Sequence, residues 1–78
     1  MSVTRRDLVK DALLGALACR RWNWLGIRKT LRRLYFQLRA DGKKAGAARG
    51  VVKRAKRALP GLREEPKGLG VALDLIVG

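Results

Sequence analysis

The residues of this chain that can do chemistry are mostly cations, and their spacing is regular. Arg28, Lys29, Arg32 and Arg33 recur at helical intervals, and Arg49, Lys53, Lys56 and Arg57 follow at i, i+4, i+7 and i+8. Lys43 and Lys44 stand between the two sets. Such groups repeated along one helix face bind polyanions. Arginine meets phosphate as a rigid fork, and lysine meets it as a compact charge. Proton-transfer and metal chemistry have little to work with. The sequence has no histidine. It therefore lacks the usual general base, the usual nitrogen metal ligand and any Ser-His or Cys-His arrangement. Its six acids, Asp7, Asp11, Asp41, Glu64, Glu65 and Asp74, show no metal-ligand spacing. No enzymatic activity, metal or other cofactor is expected.

The charge is large and uneven. Nineteen Lys and Arg against six acids leave a net charge of +13. Residues 20–57 hold 14 of the basic residues and one acid, Asp41, whereas residues 58–78 hold two basic and three acidic residues. Like charge at this density repels itself unless a polyanion offsets it. Nucleic acid is the commonest such partner, and an anionic membrane surface is the other. Cys19 is the single cysteine, so no intramolecular disulfide exists. It lies in an apolar stretch and is expected to be a small buried hydrophobe; Arg20 and Arg21 beside it are what would favour a thiolate.

A chain of 78 residues makes one small domain with a modest core, spanning residues 1–78. Hydrophobic periodicity predicts helices over about residues 5–20, 26–40 and 45–59. In the first, Thr4 and Asp7 fit a capping box, and Leu8, Ala12, Leu13, Ala16, Leu17 and Arg20 share a stripe. Gly15 inside it costs up to about 1 kcal/mol in propensity and leaves room for a neighbouring helix. In the second, Ile27, Leu31, Leu34, Tyr35 and Leu38 form the core stripe. Asn23 or Gly26 is its expected cap, and Gly42 supplies its C-terminal stop. In the third, Ala48, Val51, Val52, Ala55, Ala58 and Leu59 face inward, and Pro60 ends the helix. The small residues over 45–50 suit close approach either to a DNA backbone or to the first helix.

After Pro60 the pattern changes. Residues 61–63 read as a short strand, 64–70 as a turn, and 71–77 as a second strand by β-branched content. A hairpin over about 61–77 is therefore expected, with a helix over 69–76 as the rival reading. An uncovered apolar edge strand at 71–77 invites pairing with a second copy, giving a homodimer. Trp22 and Trp24 flank Asn23 in the connector between the first two helices. They either seal the core edge or stack on bases.

Residues 4–10 followed by the apolar run ALLGALAC resemble a twin-arginine export signal. The run is short, Asp11 opens it, and Arg20 and Arg21 follow, so a core helix is the expected reading. No stretch approaches the roughly 18 apolar residues of a spanning helix.

Three helices followed by a hairpin is the order of a winged helix-turn-helix. Residues 30–38, TLRRLYFQL, resemble the second helix of that superfamily, with residues 49–57 matching its recognition helix and 64–70 its wing tip. The resemblance implies a mainly α, three-helix winged helix-turn-helix-like domain with a small C-terminal β-hairpin. It also implies duplex DNA binding. Arg49 and Lys53 would approach base edges or phosphates, and Lys56 and Arg57 would hold the backbone. Arg28, Lys29, Arg32, Arg33, Lys43 and Lys44 would take flanking phosphates. The function expected is that of a small microbial or viral regulator or architectural protein, in the cytoplasm or on the nucleoid. RNA binding is one alternative; a basic module docking an acidic protein or a membrane surface is the other.

Overall fold

The computed structural model describes residues 4–18 and 24–77. Its first helix, α1 (Arg5–Leu17), starts where Thr4 Oγ1 accepts a hydrogen bond from the Asp7 amide at 3.2 Å. That bond satisfies one of the orphan N–H groups of the first turn. The buried stripe of α1 is Val9, Ala12, Leu13 and Ala16, while Leu8 and Leu17 flank it half-buried. The expected stripe was out of phase at its start, because Leu8 is the bulkier residue but Val9 lies one turn from Leu13 on the inward side. Cys19 to Asn23 fall outside the described residues. The readings of Cys19, Arg20, Arg21, Trp22 and the Asn23 cap fall there with them.

The second helix, α2 (Trp24–Ala40), buries Ile27, Leu31, Leu34 and Leu38. It begins two residues earlier than expected, so Gly26 lies in its first turn rather than capping it, and Trp24 is helical rather than part of a connector. The Thr30 hydroxyl donates to the Gly26 carbonyl at 2.9 Å. The helix ends as the sequence predicts. Gly42 adopts φ +98°, its amide donates to the Arg39 carbonyl at 3.1 Å, and the Lys43 amide donates to the Leu38 carbonyl at 3.0 Å. This is a Schellman cap, and only glycine takes such a φ without strain.

The third helix, α3 (Ala45–Glu64), runs through Pro60 instead of stopping there. Pro60 is exposed. The carbonyl of Lys56 that loses its partner therefore faces water, which limits the penalty of an interior proline. Continuing the helix buries Leu62 beside Leu59. Residues 61–63 are thus the last turn of α3 and not a strand.

The C-terminal hairpin is not formed. A 3-10 turn over Pro66–Gly68 leads directly into a fourth helix, α4 (Leu69–Val77). Among the described residues there is no strand, so there is neither wing nor winged helix-turn-helix architecture. Self-association through an edge strand at 71–77 loses its basis with it. The deciding pattern is Leu69, Ala72, Leu73 and Ile76, which repeats at i, i+3, i+4 and i+7. Leu73 and Ile76 are buried, whereas Val71 and Leu75 are about 70% exposed. A strand would have placed Val71, Leu73 and Leu75 on one face.

The α1 and α3 helices pack on each other and each packs on both α2 and α4, while the backbones of α2 and α4 do not approach one another closely. The core between them is wholly apolar among the described residues. Ion pairs also fasten α1. Arg5 Nε meets Asp41 Oδ2 at 3.0 Å in the α2–α3 turn, and Arg6 pairs with Asp74 of α4. Gly15 faces α2 as expected: a Cβ there would sit 3.6 Å from the Thr30 methyl.

Candidate nucleic-acid interface

Because α2 doubles back into α3 through the Gly42 turn, their solvent sides meet in an open groove of about 430 Å³. Leu31, Tyr35 and Val52 lie along it, with Phe36 beside them. Arg28 and Arg32 of α2 and Arg49 and Lys56 of α3 stand around the same space. No acid lines it. The apolar residues are the outer edge of each helix's core stripe, and the cations follow one position further around each helix. The amphipathic pattern that builds the core therefore also assembles the basic groove.

Aromatic rings are set among these cations. The Arg32 guanidinium lies 5.7 Å from the Phe36 ring centroid, and Phe36 meets Tyr35 edge to face at 5.4 Å. The Lys56 ammonium lies 5.1 Å from the Trp24 ring centroid. Both cation–ring contacts are within the range of cation–π attraction.

The remaining predicted residues divide by position. Lys29 and Arg33 sit on the α1 side of α2, along a second groove that Asp11, Thr30 and Gln37 also line. Lys53 and Arg57 are exposed on α3 beyond the groove. Lys44 is the exposed N-cap of α3, and Lys43 is partly buried, its carbonyl accepting from Arg39 Nη1 at 3.3 Å. Thus Arg28, Arg32, Arg49 and Lys56 converge, while Lys29, Arg33, Lys43, Lys44, Lys53 and Arg57 extend the basic surface around them. Of the two tryptophans read as either sealing the core edge or stacking on bases, Trp24 is half-exposed at the start of α2, and Trp22 lies outside the described residues. Ion pairing does not consume the basic set. Asp41 and Asp74 are bonded to arginines of α1, and none of Arg28, Lys29, Arg33, Arg49, Lys53 or Arg57 pairs with a described acid.

Two residues escaped the sequence reading. Phe36 follows Tyr35 but projects away from the core, at 55% exposure. At 100° per residue it lies opposite Ile27 and between Arg32 and Arg33, so the helical wheel carried that signal. Arg54 is the other. Its Nε and Nη2 both donate to the Ile76 carbonyl, at 3.0 and 2.9 Å, capping the C-terminal end of α4. That bond holds two elements together and lies on the flank of α3 away from the groove. No local signal marked it, because its partner is a backbone group 22 residues on.

Comparison with protein-family models, curated proteins and solved structures finds no match to the chain. Among the described residues, no helix is long and apolar enough to cross a membrane. No group of three His, Cys, Asp or Glu among them is placed to hold a metal.

Proposed function

We propose that this protein binds nucleic acid, gripping the phosphate backbone with the solvent faces of α2 and α3. The observation that carries this reading is the convergence of Arg28, Arg32, Arg49 and Lys56 on one acid-free groove. Lys29, Arg33, Lys53 and Arg57 widen the same basic surface. Arg49, Lys53 and Lys56 rise along α3 about once per turn, a row that can track one strand of duplex DNA. The role that follows is that of a small regulator or architectural protein. It reaches the phosphates with two helices and no wing.

A second reading has an observation of its own. Leu25, Trp24 and Phe36 are exposed on the cationic side of α2. Apolar and aromatic residues among cations are also the pattern of a helix lying on an anionic bilayer. Competition decides between them. A labelled DNA duplex bound by the protein is challenged with unlabelled duplex, structured RNA and anionic phospholipid vesicles. Displacement by either nucleic acid at equal phosphate concentration, with vesicles weaker by more than about tenfold, is expected. Vesicles that match or exceed nucleic acid would overturn the proposal. Charge reversal of Arg49 and Lys53 is expected to weaken duplex binding most.

A further inference from the structure

Phosphate binding needs cations and nothing apolar. Yet the four convergent cations surround a greasy floor of Leu31, Tyr35 and Val52, with an exposed phenyl ring at its edge. Its volume of about 430 Å³ falls within the range of small-molecule sites. The base pairs of an intact duplex are stacked on one another and cannot enter such a groove. An unpaired base can. It presents a flat apolar face to Tyr35, Val52 and Phe36, and its flanking phosphates then reach Arg28, Arg32, Arg49 and Lys56. The rings keep their cations close: Arg32 on Phe36 and Lys56 on Trp24. A guanidinium that stacks on an aromatic ring can equally stack on a base.

We infer that the α2–α3 groove is a site for an unpaired nucleobase of a bound strand, so the protein favours single-stranded or splayed nucleic acid over a fully paired duplex. The inference rests on the phosphate-binding reading above and narrows its substrate. DNA and RNA present the same chemistry here, an unpaired base on a phosphate backbone.

The test uses the intact chain and labelled oligonucleotides followed by fluorescence anisotropy. A mixed-sequence single strand is compared with the same strand carrying abasic nucleotides, which keeps every phosphate and removes the bases. Both are made in deoxyribose and ribose form. One base stacked on a protein aromatic corresponds to about 5- to 150-fold in affinity, and a loss in that range is expected for the abasic strand. Phe36→Ala, a change at an exposed position, is expected to weaken the intact strand toward the abasic value without altering the circular dichroism spectrum. Equal affinity for intact and abasic strands, with binding still steeply salt-dependent, overturns the base site and leaves the phosphate grip standing. Failure of every probe to bind overturns both.

Discussion

Arg49 and Arg54 lie five residues apart on α3 and serve different ends. Arg49 reaches into the groove, whereas Arg54 closes on the Ile76 carbonyl with two N–H groups. A charged donor at the C-terminal end of a helix gains from both the hydrogen bonds and the helix dipole. Arg54→Ala is therefore expected to lower unfolding free energy by about 1–3 kcal/mol in urea titration, with little change in nucleic-acid affinity. Arg49→Ala should do the reverse. Stability should stay within about 0.5 kcal/mol, as for most surface changes, while the salt slope of binding becomes shallower by about one. Sequence spacing put Arg49, Lys53, Lys56 and Arg57 on one face of the helix; Arg49 and Lys56 line the groove, while Lys53 and Arg57 lie beyond it. The spacing carried no information about Arg54, because a backbone carbonyl on another helix is not encoded in local periodicity.

At the scale of elements, α4 is the most informative. Leu73 is buried and Leu75 is 72% exposed, a difference that only the helical phase produces. Leu73→Ala is expected to cost about 2–5 kcal/mol and Leu75→Ala under about 0.5 kcal/mol, measured by thermal or urea unfolding. Equal costs would indicate the strand. The amphipathic stripes of α2 and α3 were legible because each is long and repeats four or more times. The Gly42 stop was legible because its chemistry is local. The segment 71–77 was not. Seven apolar-rich residues fit either period, and what decides is the α1–α3 surface on which Leu73 and Ile76 settle. Pro60 misled for a related reason. Its local penalty is real, but the burial of Leu62 and the solvent-facing position of the lost bond outweigh it. The groove between α2 and α3 was half legible: its cations stood out by spacing, while the floor of Tyr35 and Val52 read as plain core.

Taken whole, the molecule concentrates a net charge of +13 in a body 32 × 25 × 25 Å across. Asp41 and Asp74 hold arginines of α1, and none of Arg28, Lys29, Arg33, Arg49, Lys53 or Arg57 forms an ion pair with a described acid. Two opposite responses to salt follow. Screening relieves self-repulsion in the free protein, so its melting temperature should rise between low and physiological ionic strength. A melting temperature that falls would mean that its ion pairs outweigh that repulsion. Binding should respond in the other direction, because counterions released from phosphate are re-bound at high salt. The most direct measurement is the duplex association constant as a function of salt concentration. If six to eight cations of α2, α3 and their turn contact phosphate, a log–log slope of about −5 to −7 is expected. A slope shallower than about −2 would contradict the account, since too few phosphates would then be engaged for this basic surface to be the binding face.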